Sequence, residues 1–344
     1  MLVCVVGNYG DKKVLTDGQG IKTLELYESL KKRYGYKEVS KVNLFKKNKF
    51  ILSVKLIYQL IKCDNLIILV SKNGRKTVIP FLVLLNKIFK KNIYHSLIGS
   101  TTHQTLQENP KLINCYNQLA GNWSETMTEK KLLEDCGLKN VRVIKNFKNL
   151  YPLEENELIY NSKKPFRFCT FSRVEEMKGI PNIVRIINEI NHNHGEIICT
   201  LDIYGYVMDN YKSDFEILKN EFGDAIRYCG IVDFDKSVQV LKEYYMLLFP
   251  TKYYTEGIPG TILDAFSAGL PIICSEWESC YDIISSEVGV VYEFNNDNAL
   301  LLAIENSIAR PEVINKMKKA CLNEARKYSS VEVIKKIGKI LEEK

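Results

Sequence analysis

The residues best suited to chemistry lie in one segment, TEGIPGTILDAFSAGLP, at 255–271. The pattern predicts a strand that ends near Pro250 and a helix that begins at about Pro259, a residue suited to the first helical turn. The backbone N–H groups of Gly260 and Thr261 would then point out of the helix, in its positive dipole field. A helix start of this kind favours binding of an anion such as a phosphate.

Two acidic residues flank this helix start. Glu256 precedes it, and Asp264 lies roughly 6 Å beyond Gly260 along the helix axis, at about 1.5 Å per residue. That distance is about the reach from a pyrophosphate to a ribose. The alternative interpretation is a proline-initiated helix with an incidental acidic face.

A second polar segment, FSRVEEMKG, lies at 171–179, between a predicted strand and a helix that follows Pro181. Arg173 and Lys178 at such a strand-to-helix turn can neutralise a diphosphate, above all one that leaves with extra negative charge. Taken alone, a loop of this kind is more often a solvated turn.

Several glycines occupy positions where a chain can approach a ligand closely. Gly205 and Gly230 each end a predicted strand, and ordinary turns explain single glycines equally well. The segment TDGQGIKT at 16–23 lies between the first predicted strand and a helix that runs to about Arg33. Its glycines permit close approach of the backbone to a phosphate or sugar, or form a simple turn; their spacing is not that of a dinucleotide fold.

These segments together resemble glycosyltransferase family 4. Residues 256–264 resemble its Glu-x7-Glu signature, with Asp264 in place of the second Glu, and the following Ala-x-x-Ala-Gly-x-Pro pattern matches too. Residues 172–179 resemble its Gly-Arg-(x)-Lys-Gly motif, with Ser172 where Gly is common. The DGQ loop at 17–19 resembles that of members that make capsular and other surface polysaccharides.

The resemblance implies a GT-B fold and a role for each residue. The first acid, Glu256, and the glycine-rich turn after it hold the donor sugar and its phosphates, while Asp264 binds the ribose hydroxyls. Loops at Gly205 and Gly230 approach the nucleotide base. The full set of expected donor-binding residues is Gly18, Gln19, Gly20, Arg173, Lys178, Gly205, Gly230, Glu256, Gly257, Ile258, Pro259, Gly260, Thr261 and Asp264.

Four residues are expected to be catalytic: Glu256, Arg173, Lys178 and His103. His103 follows IGSTT after a predicted strand, where family members place a cleft histidine near the acceptor; a surface-loop histidine is the alternative. We expect no metal site, since the sequence has no defensible DxD motif. We expect no cofactor besides the nucleotide-sugar substrate, whose nucleotide would be UDP.

The elements that position these residues alternate along the chain. Short β-branched runs separated by amphipathic stretches predict parallel sheets flanked by helices. Strands are predicted at Leu2–Val6, Glu38–Val42, Asn65–Val70, Asn92–Leu97, Val141–Ile144, Arg167–Phe171, Ile197–Tyr204, Ile226–Cys229, Met246–Phe249, Pro271–Cys274 and Val288–Tyr292. The fold class is therefore α/β, with two Rossmann-like, doubly wound domains that face a cleft.

The domain boundaries follow from composition. Residues 1–148 are expected to form an acceptor-binding domain, and 149–165 a linker that carries a proline and an acidic run. Residues 166–310 would bind the nucleotide sugar, and 311–344 would be C-terminal helices.

Charge divides unequally between the two halves. The chain carries 48 Lys and Arg against 41 Asp and Glu, but 1–150 has a net charge of +15 and 151–344 of −8. A basic half favours a polyanionic partner. A nucleic acid is not expected, because no recognised nucleic-acid module accompanies the charge.

Two lysine-rich stretches bear on localisation. Residues 46–62 and 76–91 combine five and four lysines with apolar residues, a composition that suits an anionic bilayer, although helices beside a sheet also bury an apolar face. The ten cysteines are scattered and read as reduced core residues, and no signal peptide or spanning segment is recognised. We expect a cytoplasmic protein, peripheral at the inner face of the cytoplasmic membrane.

The functional hypothesis is a retaining, metal-independent hexosyl- or related glycosyltransferase. It would move a sugar from a nucleotide donor to a lipid-pyrophosphate-linked glycan in bacterial surface polysaccharide synthesis. The alternative is a catalytically inactive GT-B partner subunit or a sugar-nucleotide-binding protein, which the Asp at 264 and the Ser at 172 favour.

Overall fold

The computed structural model of the chain describes residues 1–10, 18–45 and 48–343. They form two compact units, and neither unit is continuous in sequence. The first comprises Met1–Asn149, Thr255–Ile258 and Tyr328–Lys344; the second comprises Leu150–Tyr254 and Pro259–Lys327. Each unit is built on a six-stranded sheet in which all neighbouring strands are parallel.

The first sheet has the strand order β2-β1-β3-β4-β5-β6. Its strands are β1 (Val3–Gly7), β2 (Val39–Asn43), β3 (Asn65–Leu69), β4 (Asn92–Ser96), β5 (Gly121–Ser124) and β6 (Val141–Val143). The helices between them are α1 (Gly18–Tyr34), α2 (Lys49–Lys62), α3 (Lys72–Phe89), α4 (Thr102–Glu108), α5 (Lys111–Asn117) and α6 (Met127–Asp135).

Side chains alternate between the two faces of this sheet, as the period of two requires. Cys4 and Val6 of β1 pack in one cluster with Leu56 and Leu60 of α2 and with residues of α3. Val3 and Val5 pack in another with residues of α1 and of the C-terminal stretch 333–341. Helices therefore cover both faces of the first sheet.

The second sheet has the strand order β12-β11-β10-β7-β8-β9. Its strands are β7 (Phe166–Phe171), β8 (Cys199–Tyr204), β9 (Ile226–Gly230), β10 (Met246–Phe249), β11 (Ile272–Ser275) and β12 (Gly289–Tyr292). The helices of this half are α7 (Ile180–His194), α8 (Lys212–Leu218), α9 (Ser237–Leu241), α10 (Gly260–Ser267), α11 (Asp297–Ala309) and α12 (Pro311–Arg326). The last helix, α13 (Ser330–Glu342), belongs to the first unit.

The predicted α/β architecture is confirmed, with one strand that the sequence-based expectation lacked. β5 was not predicted, because its sequence GNWS is short and three of its four residues have low strand propensity. The residues expected to form C-terminal helices, 311–344, contain α12 and α13, and Ser329 caps α13 by accepting a hydrogen bond from the Glu332 N–H. No helix in the described part of the chain is long and apolar enough to cross a bilayer.

Candidate functional site

In the second unit, the loops after β7, β8 and β9 meet at the carboxyl edge of the sheet. The Gly205 N–H donates to the Gly230 carbonyl at 2.8 Å, and the Ser172 N–H donates to the Tyr204 carbonyl at 3.2 Å. A Cβ on Gly205 would lie 1.7 Å from the Ser172 carbonyl oxygen, so this close approach requires glycine. The structure thus brings Gly205 and Gly230 together beside the residue that precedes Arg173.

Arg173 and Lys178 lie in the loop between β7 and α7. Arg173 Nη2 is 3.2 Å from Glu175 Oε1, whose other oxygen accepts a hydrogen bond from the Tyr253 hydroxyl at 3.4 Å. Lys178 is only 9% exposed, and its Nζ lies 5.0 Å from the ring centroid of Tyr253 and 5.2 Å from that of Phe249. Aromatic faces stabilise a cation without neutralising its charge.

The β7 loop is joined to the loop that follows β10. The Lys252 N–H donates to the Met177 carbonyl at 2.8 Å, and Gly179 lies against Pro250, whose carbonyl oxygen would be 2.1 Å from a Cβ at position 179. Two neighbouring strands therefore present one connected surface, on which two cationic side chains lie close to the segment that leads to Glu256.

The helix that carries Asp264 begins at Gly260, one residue later than predicted. Pro259 is its N-cap, with an extended ψ of 133°, because its carbonyl begins the helix while its own backbone is not yet helical. Thr261 lies in the first turn. Asp264 is 2% exposed and its Oδ1 accepts a hydrogen bond from the Ser237 hydroxyl at 2.8 Å, so α10 is tied to α9. Its expected contact with a ribose stays a prediction.

A polar network behind the β8 and β9 loops was not anticipated from the sequence. Arg227 donates to both oxygens of Asp202, at 2.9 and 2.8 Å, and the Tyr244 hydroxyl donates to Asp202 at 2.7 Å. Burial acts to raise the pKa of Asp202, but the hydrogen bonds from Arg227 and Tyr244 lower it overall. The network joins β8, β9 and Tyr244, two residues before β10, and so holds the base of the predicted nucleotide loops.

In the first unit, the segment Thr255–Ile258 lies over the carboxyl ends of β4, β5 and β6. The Ser100 N–H donates to the Thr255 carbonyl at 3.0 Å, and Asn146 Nδ2 donates to the Ile258 carbonyl at 2.9 Å. Glu125, the first residue after β5, accepts a hydrogen bond at Oε2 from the Ile258 N–H at 2.7 Å. Gly257 is buried and Glu256 is half-buried.

Glu125 is also half of a buried ion pair. Lys22 Nζ of α1 lies 2.5 Å from Glu125 Oε1 and donates to the Leu97 carbonyl at 2.6 Å. The two side chains are 8% and 4% exposed. Neither residue was predicted as part of a site: Glu125 follows a strand that was not recognised, and its partner is 103 positions away. The sequence signal that could have drawn attention to Glu125 is its position as an acidic residue directly after Trp123 and Ser124.

Two further buried groups surround this pair. Burial, and next the charge of Glu125, raise the pKa of Glu129 to about 8. Burial, and next the positive charges of Arg75 and Lys22, lower the pKa of His95 well below its usual value. Near neutral pH both Glu129 and His95 are therefore uncharged, and the charges of this region are those of Lys22, Glu125 and Arg75.

The other predicted residues of the first unit lie in helices. Gly18, Gln19 and Gly20 are the first residues of α1 rather than a turn before it, and Gln19 Nε2 donates to the Leu69 carbonyl at 3.4 Å. Thr16 and Asp17, the start of the predicted loop, lie outside the described residues. His103 is the second residue of α4 and is buried. Its role near an acceptor stays a prediction.

The second unit also contains a cavity that lies away from the predicted site residues. A cavity of about 340 Å³ in the second unit lies at the ends of β10, β11 and β12 and contains none of the predicted site residues; it is lined by Asn182, Pro250, Thr251, Lys252, Ser275, Tyr292, Asn295, Asn296 and Asp297. No group of three or more His, Cys, Asp or Glu side chains placed to hold a metal occurs among the residues that the structure describes. The expectation of metal independence stays untested.

Comparison with known protein families shows which family the chain belongs to. The model of glycosyl transferases group 1 matches residues 154–327, which is half of the chain. The chain belongs to this family. The match covers the second unit almost completely, including Arg173, Lys178 and Asp264. The predicted glycosyltransferase identity is thereby confirmed at the level of this family, whereas family 4 membership stays a prediction.

Several other proteins of known structure share the fold of this glycosyltransferase. Anabaena Alr3699/HepE, determined with UDP and glucose, has a TM-score of 0.75 at 13% identity, with 99% of both chains covered. Sucrose-phosphate synthase from Thermosynechococcus elongatus has a TM-score of 0.77 at 14% identity, with 98% of this chain and 97% of that chain covered. The lipopolysaccharide outer core galactosyltransferase WaaB has a TM-score of 0.67 at 16% identity, with 99% of both covered.

At these identities the likeness establishes the fold, and the predicted GT-B fold is confirmed. A comparison with curated protein sequences finds no match.

Proposed function

We propose that this glycosyltransferase binds a nucleotide-sugar donor on its second unit and transfers the sugar to a glycan acceptor. The observation that carries the proposal is the connected surface formed by the β7 and β10 loops, with Arg173 and the buried Lys178 at its centre. Lys178, buried against two aromatic rings, and the partly exposed Arg173 on the same loop can stabilise the charge that develops on a departing diphosphate. Asp264, on the helix after this surface, is proposed to bind the ribose.

The known structures support a uridine nucleotide as the leaving group. HepE was solved with UDP, with UDP-glucose, and with UDP and glucose, and it shares this fold over nearly its whole length. We propose UDP for this chain on that ground. Retention of configuration and independence of metal ions are proposed from the resemblance to family 4, with Glu256 close to the donor sugar and His103 near the acceptor.

The acceptor is proposed to be a lipid-pyrophosphate-linked glycan at the inner face of the cytoplasmic membrane, in the synthesis of a bacterial surface polysaccharide. Apolar side chains on the outer sides of α2 and α3 support this proposal. They are more than half-exposed or close to it, and comprise Phe50, Ile51, Val54, Tyr58, Ile61, Leu84 and Ile88, which we name the α2–α3 surface. Leu56 and Leu60 of α2 are buried in the core, so α2 is apolar on both sides.

Charge supports an anionic bilayer as the partner of the α2–α3 surface. Lys55, Lys62, Lys87 and Lys90 are exposed on the same two helices or directly after them. Apolar side chains flanked by lysines favour an interfacial position on anionic lipid. The alternative use of these helices, covering the sheet, accounts for their buried residues and leaves the exposed ones unexplained.

A ligand screen with purified protein tests the donor. UDP, GDP and dTDP and their sugars are each added, and the melting temperature is measured, since a ligand that binds the native state raises its stability. We expect stabilisation by UDP and by one UDP-sugar, followed by release of UDP when that sugar is incubated with the enzyme. A protein that binds but never releases nucleotide, with or without acceptor, would be the inactive partner subunit instead.

Substitutions then test the assigned residues. We expect Lys178→Ala and Glu256→Ala each to lower the rate of UDP release about 100-fold or more, because each removes a group that acts on the reacting centre. Lys236→Ala and Glu216→Ala, which remove exposed charges of the same types, serve as matched controls and should be neutral. Undiminished release by both Lys178→Ala and Glu256→Ala would contradict the assignment.

A further inference from the structure

The backbone on both sides of Glu256 is fixed by groups of the first unit. The Thr255 carbonyl accepts from the Ser100 N–H, the Ile258 carbonyl accepts from Asn146, and the Ile258 N–H donates to Glu125. Ser100, Glu125 and Asn146 follow three adjacent strands, β4, β5 and β6. Three separate loops at one edge of the first sheet therefore hold the four-residue segment Thr255–Ile258.

The Glu125 contact differs from the other two because it is charged and buried. Its carboxylate is bound at Oε1 by Lys22 at 2.5 Å and at Oε2 by the Ile258 N–H at 2.7 Å. A hydrogen bond to an ionised acceptor is about twice as strong as one between neutral groups. Lys22 is itself fixed by the Leu97 carbonyl at 2.6 Å, so the orientation of the carboxylate is determined from both sides.

The Glu125 carboxylate also leaves no space for the backbone of Gly257 to take another position. A Cβ on Gly257 would lie 2.3 Å from Glu125 Oε2, so the main chain of Gly257 runs directly against the carboxylate. A buried ion pair needs excellent geometry to offset the loss of hydration, and it contributes little stability that an apolar pair would not. Its position against this backbone is better suited to fixing geometry than to adding stability.

We propose that Lys22 and Glu125 are positioning residues for Glu256. The pair fixes the peptide units that follow Glu256, and so determines where the Glu256 carboxylate lies on the first unit. Neither residue touches the substrate in this proposal. This proposal rests on the proposed function, in which Glu256 acts at the donor sugar. It adds Lys22 and Glu125, which lie far before Glu256 in the sequence, as residues that hold Glu256 in place.

The first test is Glu125→Gln, which keeps the shape and an oxygen acceptor but removes the charge. We expect kcat for UDP release, per folded molecule, to fall about 100-fold, because misplacement of a reacting group by about 1 Å has an effect of that size. The folded fraction is measured by thermal unfolding. The affinity for UDP, measured by calorimetry, should be unchanged, since the proposed nucleotide contacts lie in the second unit.

Three further variants keep the proposal testable if Glu125→Gln does not fold. Asn146→Ala removes one of the three backbone contacts and leaves the ion pair in place; we expect kcat about 10-fold lower, the equivalent of about one hydrogen bond. Lys22→Arg retains the charge and should retain more activity than Lys22→Met. Glu134→Gln, which breaks the partly exposed Lys130–Glu134 pair of the same unit, is the matched control and should be neutral.

The outcomes separate this proposal from the proposed function. If wild type releases UDP and Lys178→Ala does not, but Glu125→Gln and Asn146→Ala both keep the wild-type kcat per folded molecule, the positioning role is wrong and the donor site stands. A loss of thermal stability with unchanged kcat would assign the pair a purely structural role. A wild-type protein that releases no nucleotide from any sugar donor overturns both proposals.

Discussion

A buried carboxyl group gives the first unit a specific dependence on pH. Glu129 Oε2 accepts a hydrogen bond from the Glu125 N–H at 3.1 Å, and burial together with the charge of Glu125 raises the pKa of Glu129 to about 8. In the unfolded chain the pKa is near the ordinary value of 4.5. Between these two values the folded state holds a proton that the unfolded state has released.

We therefore expect the contribution of Glu129 to the free energy of unfolding to be greatest below about pH 4.5 and to fall as the pH rises to about 8. Urea unfolding of wild type and Glu129→Gln at several pH values isolates this contribution. The variant should gain stability relative to wild type as the pH rises through this range. Glu134→Gln, an exposed change in the same helix, should follow wild type, and a Glu129→Gln curve parallel to wild type would contradict the shifted pKa.

The site residues differ in how far sequence could predict them. The placement of Arg173 and Lys178 in a strand-to-helix loop was predictable because that loop is defined locally, by a strand before it and a proline-started helix after it; their roles stay a prediction. Lys22 and Glu125 were not, because the chemistry of each depends on a partner that only the folded sheet brings near. The sequence contains both residues but no local pattern that joins them.

At the scale of elements, α7 offers a matched pair of glycines. Gly179 precedes it and Gly195 ends it, with φ of 68° and 66°, both in the left-handed region. A Cβ at 195 would meet nothing within 4 Å, whereas one at 179 would lie 2.1 Å from the Pro250 carbonyl oxygen. Alanine would be strained by the left-handed backbone at both positions. Only at 179 would its Cβ also overlap another atom.

We expect Gly195→Ala to lower the free energy of unfolding by about 1 kcal/mol, the usual effect of a left-handed L-residue. Gly179→Ala should lower it by about 3 kcal/mol, because the β7 and β10 loops must also move apart. Denaturant unfolding measures both. Equal losses of unfolding free energy in the two variants would show that the contact between Gly179 and Pro250 does not contribute to stability.

Strands and helices were predictable where their residues favour one structure by themselves. All six strands of the second sheet were predicted, since five of them contain two or more β-branched or aromatic residues and β10, MLLF, is apolar throughout. β5 was missed because its pairing with β4 and β6, and not its composition, makes it a strand. Likewise Gly18 and Gly20 were expected in a turn, yet they form the first turn of α1.

At the scale of the whole molecule, the proposed membrane contact has a direct test. We expect the protein to sediment with vesicles that contain anionic phospholipid, less so at high salt, because screening weakens attraction between exposed charges. Replacing Lys55, Lys62 and Lys87 by Glu should reduce binding strongly. Phe50→Ser with Ile88→Ser should reduce it at every salt concentration, since both side chains are about three-quarters exposed.

The control for this experiment is a variant with the same change of net charge elsewhere. Lys212, Lys316 and Lys319 are exposed lysines of the second unit, and their replacement by Glu should leave binding near the wild-type level. Equal losses in both triple variants would indicate attraction to overall charge and contradict a specific α2–α3 surface.

The last helix has a consequence for how the protein is made. Val333, Ile334, Ile337, Ile340 and Leu341 of α13 pack in one cluster with Val3, Val5 and Leu26 of the first unit. During synthesis the strands of the first sheet emerge early, but the helix that covers this face emerges after the whole second unit. The first unit can therefore be completed only after the second has been synthesised, and a chain that stops short of α13 would leave the apolar surface of this cluster exposed to proteases and to aggregation.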